Sequence, residues 1–115
     1  MHIDERLTQI FLSVGIPANV KGYQFLKSAI KLAVSKPDIL NYITKGLYPV
    51  IAEQFNSTPS KVERGIRHAI EVAWQRGKMK NLDALFNARD VCDFKPSSSE
   101  FIALIADRIH IEQLK

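Results

Sequence analysis

The sequence contains few of the residue types that most often carry catalytic or metal chemistry. Its 115 residues include one cysteine, Cys92, and three widely separated histidines, His2, His68 and His110. A lone cysteine cannot form a disulfide within the chain, which fits a reducing compartment. The histidines have no Cys or carboxylate partners at metal-ligand spacing. We therefore predict no metal site and no cofactor, and we interpret Cys92 as a structural or incidental thiol rather than a nucleophile.

Long apolar runs and signal-like segments are also missing. No stretch approaches the ~20 apolar residues that a membrane-spanning helix needs. The N-terminal segment MHIDERLTQ is polar and lacks the apolar region of a signal peptide. There is no glycine-rich phosphate loop, and Ser97–Ser99 fits helix capping better than nucleophilic catalysis. These absences predict a soluble cytoplasmic protein that is neither a membrane protein nor an enzyme.

Apolar residues recur through most of the chain at the spacing of amphipathic helices, and no strand-like alternation persists. We predict a compact all-α domain over residues 1–115 with about six helices. The first helix is expected to be capped by Asp4 and to end at Gly15. The second is expected to run from about Gly22 to Ser35, before Pro37. The predicted inward-facing residues of these two helices are Leu7, Ile10, Phe11, Val14, Leu26, Ala29, Ile30 and Ala33.

The C-terminal part of the chain predicts a short helix followed by a long one. Gly77 is a natural terminator for the helix before it. Residues 82–86 suit a short helix, whereas 87–95 has no clear period and is interpreted as a loop. Ser97 and Glu100, three residues apart, form a capping-box pattern at the start of the last helix. The apolar face of that helix consists of Phe101, Ile102, Ile105, Ala106 and Ile109.

The segment Ile51–Arg67, IAEQFNSTPSKVERGIR, has the pattern of a helix-turn-helix. We predict this motif over residues 48–76, with the polar pair Asn56-Ser57 as its turn. The second helix, about residues 59–76, would then be the recognition helix that enters a major groove. The residues predicted to be buried are Ile51, Ala52 and Phe55 in the first helix and Val62, Ile66, Ala69, Ile70 and Ala73 in the second.

The opposite face of the second helix carries side chains suited to DNA. Thr58 is expected to cap this helix and Pro59 suits its first position, so its positive end favours a phosphate. Arg64 and Arg67 lie close to one turn apart, and each guanidinium matches O6 and N7 of guanine. Glu63 would either accept from cytosine N4 or orient Arg67 at i+4. The predicted DNA-contacting residues are Ser60, Lys61, Glu63, Arg64, Arg67 and His68.

The charge distribution favours an anionic partner. The chain has a net charge of +4, and six Lys or Arg against two Glu fall between Ser60 and Lys80. Such a local excess is typical of a phosphate-binding face. Two alternatives remain open at this point. The domain could be a helical protein-interaction module that uses its basic face for solubility, or a basic domain that binds DNA without sequence preference.

Three runs of residues resemble the C-terminal effector domain of the master sporulation response regulator of endospore-forming Firmicutes. They are VKGYQFLKSAI, ITKGLYPVIAEQFNSTPSKVERGIRHAIEVAWQRG and KPSSSEFIALIADRI. The likeness extends from about Leu7 to Glu112, and the run KVERGIRHAIEVAW is highly specific to that family. The resemblance implies a six-helix fold that binds double-stranded DNA at a short box with a GTCGA-like core. It also implies activation or repression of transcription initiation.

The resemblance extends to individual residues. The family's base-reading positions match Glu63, Arg64 and Arg67, with Ser60, Lys61 and His68 as backbone contacts. A short helix after the recognition helix contacts a sigma subunit of RNA polymerase in the family, and it corresponds to about residues 78–86. The contacts implied there are Asn81, Asp83 and Phe86, although Asn81 and Asp83 depart from the family's small serines. Tandem DNA boxes further imply a homodimer on DNA.

The full-length protein of that family carries an N-terminal phospho-receiver domain. This chain supplies neither the strands nor the acidic pocket of such a domain. Two interpretations follow. The chain is either an excised effector domain, whose DNA binding phosphorylation would release through dimerisation, or a short paralogue that binds without that switch.

Overall fold

Six α-helices make up most of the computed structural model, which describes residues 2–89 and 93–114. Within those ranges there is no strand, so the predicted all-α fold with six helices is confirmed. A 3₁₀ turn and a π-helical turn, Pro37–Asn41 and Ile43–Leu47, connect the second helix with the third. The helices are α1 (Ile3–Val14), α2 (Lys21–Ser35), α3 (Tyr48–Gln54), α4 (Pro59–Gln75), α5 (Asn81–Leu85) and α6 (Ser98–Gln113).

Cys92 lies outside the described residues. Across the described ranges, none of the helices combines the length and the apolar character that crossing a membrane requires.

Local side-chain chemistry sets most of the helix ends. The Thr58 hydroxyl accepts the Lys61 backbone N–H at 3.2 Å, which caps α4 as predicted. At α6, Ser97 Oγ accepts the Glu100 N–H at 3.1 Å, and Glu100 Oε1 accepts the Ser97 N–H at 2.9 Å. The predicted capping box is therefore confirmed. Gly77, with φ +74°, follows α4 in the left-handed conformation that ends helices.

The predicted cap of α1 was wrong. His2, rather than Asp4, is the N-cap, and its Nδ1 accepts the Asp4 N–H at 3.3 Å. Asp4 lies inside the first turn, and its carboxylate pairs with Lys31 of α2 at 2.6 Å. An acidic side chain in a first turn is favoured by the helix dipole, so Asp4 stabilises α1 without capping it.

One hydrophobic core fills the space between the helices, and α2 contacts α1, α3, α4 and α6. All the inward-facing residues predicted for α1, α2, α4 and α6 are buried. Phe55 is the exception, because 39% of its surface is exposed. It follows the last turn of α3, where the chain leaves the helix, and its ring packs only edge-on against Phe25 at 5.3 Å.

The helices α2 and α4 approach each other very closely where they cross. A Cβ added at Gly22 would lie 2.0 Å from the Gly65 carbonyl oxygen and 3.0 Å from Ala69 Cβ. On the facing helix, a Cβ added at Gly65 would meet the Phe25 ring at 3.0 Å. Backbone therefore packs against backbone at this crossing, and any side chain at Gly22 would push α4 away from α2.

The close crossing of α2 and α4 predicts that one added methyl group at Gly22 lowers the free energy of unfolding substantially. We expect Gly22→Ala to destabilise the domain by about 3 kcal/mol, at the upper end of overpacking costs, because the clash involves backbone. Gly77→Ala is the matched control, since a Cβ there meets nothing within 4 Å and the positive φ is its only strain. It should cost about 1 kcal/mol. Urea denaturation measures both changes, and equal losses would contradict the packing argument.

The capping box predicts a pH dependence. Hydrogen bonds from the Ser97 backbone and side chain hold the pKa of Glu100 below its ordinary value of 4.5. Because the folded-state pKa is lowered, the stabilisation is present above the unfolded pKa and is lost as the pH falls through the folded pKa. We expect the melting temperature to fall below about pH 4.5. Glu100→Gln keeps a capping side chain that does not titrate, so its melting temperature should fall less; an unchanged fall would exclude this contribution.

Candidate nucleic-acid interface

The α3–turn–α4 unit has the helix-turn-helix arrangement that the sequence predicts. Asn56, in the turn, has φ +51°, a left-handed conformation that asparagine tolerates better than most residues. The next N–H, that of Ser57, donates to the Ala52 carbonyl at 2.8 Å and closes the turn. Ile51 and Ala52 are buried against the core. Because α3 and α2 hold the apolar stripe of α4, its polar face is turned outward.

The polar face of α4 presents the predicted DNA-contacting residues together. All are exposed except Glu63, which keeps 34% of its side-chain surface accessible. The exposed members of this face are Ser60, Lys61, Arg64, Arg67 and His68.

Glu63 and Arg67 form an ion pair one turn apart on this face. Arg67 Nη1 donates to both carboxylate oxygens of Glu63, at 2.8 Å and 3.1 Å. The contact holds the guanidinium from one side, while 63% of the Arg67 side chain remains exposed. The other edge of the guanidinium, formed by Nε and Nη2, has the parallel donors that match O6 and N7 of guanine. The pair therefore engages Arg67 without using the edge suited to a base.

Arg64 lies along α4 towards its N-terminus. Its Nε approaches the Ser60 carbonyl oxygen at 3.5 Å, a long and weak hydrogen bond. This direction is the ordinary one for a long side chain on a helix. The guanidinium therefore lies near the positive end of the helix dipole, beside Ser60 and Lys61.

A groove runs beside α4, between that helix and the start of α6. Its volume is about 330 Å³. Glu63, Arg67 and Glu71 line it from α4, and Thr44 and Tyr48 line it from the segment before α4. Across the groove, Lys95 Nζ pairs with a Glu71 carboxylate oxygen at 2.5 Å. The opposite wall is formed by Lys95, Pro96, Ser97, Ser98 and Ser99.

Tyr48 is the residue of this groove that the sequence analysis missed. Only 5% of its surface is exposed. Burial raises the pKa of the Tyr48 hydroxyl, the charge of nearby Glu63 raises it further, and the polar side chains of Ser98 and Ser99 oppose the shift. These neighbours lie 15 or more positions away in the sequence, so no local pattern indicates their proximity.

The basic excess noted in the sequence divides into two parts. Arg76 Nη1 donates to the Gly15 carbonyl oxygen at 3.0 Å, which links the end of α4 to the end of α1. Lys80 pairs with Asp93 at 3.1 Å. These two cations serve local structure, whereas Lys61, Arg64 and Arg67 lie on the outward face of α4.

The predicted sigma-contact residues around α5 are not equivalent in the structure. Asn81 is exposed, and its amide donates to the Ser13 carbonyl of α1 at 2.6 Å. Asp83 is half-buried. Phe86 is only 4% exposed, and the Arg108 guanidinium lies 5.1 Å from its ring centroid. Phe86 therefore packs in the core, and a sigma contact at this residue stays a prediction.

A comparison of the chain with models of protein families agrees with the geometry. Residues 7–109 match the family described as "Sporulation initiation factor Spo0A C terminal". The match includes α3, α4 and both walls of the groove, and it confirms the resemblance recognised in the sequence. That family is a DNA-binding regulatory domain rather than an enzymatic one. The chain belongs to the Spo0A C-terminal family, the DNA-binding effector domain of a sporulation response regulator.

Proposed function

We propose that this domain recognises a specific DNA sequence and thereby regulates transcription initiation. In this proposal α4 lies in the major groove of a short box with a GTCGA-like core, the sequence implied by the family resemblance. The observation that carries it is the outward face of α4, where Arg64 and Arg67 lie about one turn apart on a helix held by α2 and α3. A recognition helix reads bases only if its orientation is fixed, and the close α2–α4 crossing supports that requirement.

In the proposed complex the two arginines read guanines. Arg67 uses its Nε–Nη2 edge, because Nη1 is engaged by Glu63. Arg64, near the start of α4, reads a second guanine. The remaining predicted contacts, Ser60, Lys61 and His68, face the sugar-phosphate backbone, where they add affinity without sequence preference.

Glu63 serves the proposed readout by orienting Arg67. Both of its carboxylate oxygens lie within 3.1 Å of Arg67 Nη1, whereas reading cytosine N4 would divert at least one of them. A carboxylate near phosphates is repelled, and pairing with Arg67 offsets that repulsion. The cytosine contact is the competing assignment that the second experiment below distinguishes.

Two further interactions remain proposals that the α4 geometry does not address. They are a homodimer on tandem boxes and a sigma contact through Asn81 and Asp83 of α5. The latter two residues lie on the short helix that corresponds to the polymerase-binding helix of the family.

Arginine truncation tests sequence-specific binding. Arg64→Ala and Arg67→Ala should each weaken binding to the box by roughly 5- to 150-fold, equivalent to 1–3 kcal/mol, and weaken binding to a scrambled duplex much less. Both side chains are exposed, so the melting temperature should hardly change. Fluorescence anisotropy with the two labelled duplexes measures the difference.

Lys36→Ala is the matched control for these variants, because it removes an exposed cation at the opposite end of α2 from the α4 crossing. It should leave the preference for the box unchanged. Equal losses on both duplexes in the arginine variants would indicate non-specific binding. Binding that hardly responds to salt would contradict a DNA-binding face, because neutralised phosphates release counterions.

Single-base-pair variants of the box distinguish the two roles of Glu63. If Glu63 orients Arg67, Glu63→Gln should reduce discrimination at the guanine that Arg67→Ala also affects. If Glu63 reads a base, Glu63→Gln should instead relax selectivity at one cytosine and leave the guanine position intact. The same anisotropy assay, repeated across the box, gives the profile of each variant, and the second profile would overturn our assignment.

A further inference from the structure

A hollow adjoins the groove beside α4, next to the π-helical turn that precedes α3. Its volume is about 270 Å³. Thr44 and Ser99 line both the groove and this adjoining hollow, so the two cavities meet at these residues. Thr44 also lines the surface beside Ser60 and Arg64 of α4. The adjoining hollow therefore borders the face of α4 that the proposed function places in a major groove.

The side chains around the adjoining hollow are suited to an anion. Lys45 is the one charged residue among the described residues that line it. Lys45 is exposed and has no ion pair within the described part of the chain. Ser99 lies in the first turn of α6, where backbone N–H groups and the positive end of the helix dipole favour a phosphate. The exposed Thr44 hydroxyl adds a hydrogen-bond donor.

Tyr48 independently indicates that this region receives a ligand. Only 5% of its surface is exposed, yet its hydroxyl makes no hydrogen bond to any described residue. No fully enclosed side-chain polar atom of the described residues lacks a partner, so the Tyr48 oxygen opens into the groove that its side chain lines. A buried tyrosine with an unused hydroxyl presents a donor to whatever occupies the groove.

The carboxylates of the groove leave the positive character of this region intact. Glu63 is paired with Arg67 at 2.8 Å, and Glu71 is paired with Lys95 at 2.5 Å. Each negative charge thus has its own cation, and Lys45 remains as the excess charge of the groove and the adjoining hollow together. A charge-assisted hydrogen bond from such a cation to a phosphate oxygen is about twice as strong as a neutral one.

We propose that Thr44, Lys45 and Tyr48, together with the first turn of α6, bind one phosphate of the DNA backbone. Lys45 supplies the charge, and the two hydroxyls and the α6 N–H groups donate to the phosphate oxygens. A backbone contact carries no sequence information but fixes the position of a recognition helix on the duplex. The inference rests on the proposed function, since it requires α4 to lie in the adjacent major groove.

Lys45→Ala tests the charge of this site. We expect weaker binding to the box and to the scrambled duplex by the same factor, because phosphates are common to both. The slope of log affinity against log salt concentration should decrease by about 0.9, the value for one neutralised phosphate. Lys36→Ala is the matched control, because Lys36 is exposed and lines none of these cavities. It should leave the slope nearly unchanged.

Tyr48→Phe tests the hydroxyl, because it keeps the buried ring. We expect both duplexes to bind roughly 2- to 12-fold more weakly, the range of one hydrogen bond, with an unchanged salt slope. Tyr23→Phe is the control, since Tyr23 is also buried but packs edge-on against Phe11 of α1. Thr44→Val, which removes an exposed hydroxyl, serves as the test if Tyr48→Phe fails to fold.

Methylphosphonate substitution identifies the phosphate. Each phosphate of the box duplex is replaced in turn by an uncharged methylphosphonate. At one position the unsubstituted domain should lose affinity while Lys45→Ala loses none, because their contact is already absent. Arg64→Ala should still lose affinity at that position. If Lys45→Ala loses affinity equally at every position, Lys45 acts only through the general field of the protein, and the site is overturned.

Competition by inorganic phosphate distinguishes a free anion from the DNA backbone. Phosphate and chloride at equal ionic strength should weaken DNA binding to the same extent. Stronger competition by phosphate, without coupling of Lys45 to any methylphosphonate, would assign the site to a free anion and overturn the DNA contact.

The outcomes separate this inference from the proposed function. Equal binding to the box and to the scrambled duplex would overturn sequence recognition, and the phosphate site would still be tested on either duplex. Unchanged affinities in Lys45→Ala and Tyr48→Phe, with the preference for the box retained, would overturn the phosphate site alone. Absence of binding to both duplexes would overturn both. Coupling of Lys45 to a single phosphate supports the site.

Discussion

The backbone contact between α2 and α4 is the constraint on which the interface depends. At Gly22 the two helices are so close that a single methyl group would overlap the Gly65 carbonyl. A helix held this closely cannot roll or slide without opening the core, because packed interiors deform little. The direction in which Arg64 and Arg67 point is therefore set by the close contact of Gly22 with Gly65.

The positions of the charged side chains in this domain matter more for the α4 face than the total net charge does. The +4 net charge is modest. Two of the cations are engaged elsewhere, because Arg76 donates to the Gly15 carbonyl oxygen and Lys80 forms an ion pair with Asp93. What remains on the outward face of α4 is a small set in which a carboxylate restrains one arginine. A flexible arginine loses rotamer freedom on binding a base, and prior restraint reduces that cost. In the proposed complex, Glu63 would thus contribute to selectivity although its charge opposes DNA.

Local patterns predicted the fold because local chemistry decides it here. The helical spacing of apolar residues gave the six helices, and Thr58, Ser97 and Gly77 marked three of their ends. Predictions failed at two places: at the start of α1, where two residues could act as the N-cap, and at the end of α3, where an apolar residue lies beyond the last helical turn. His2 took the cap expected at Asp4, and Phe55 became exposed because the helix ends beneath it. The position of Tyr48 in the groove could not be predicted, since the groove is formed by segments that only the tertiary fold brings together, whereas the α4 face needed one helix alone.

The groove beside α4 has walls from two distant segments of the chain, joined by the Lys95–Glu71 ion pair. This has a consequence for modularity. Transplanting residues 59–75 onto another helix-turn-helix would carry the arginines but leave behind the α6 turn that borders Glu63. Under the proposed readout, the chimaera would retain affinity for phosphates and lose selectivity among bases. Sequence preference would then be a property of the assembled α3–α4–α6 unit, and a change in it during evolution could begin at residues that never meet DNA.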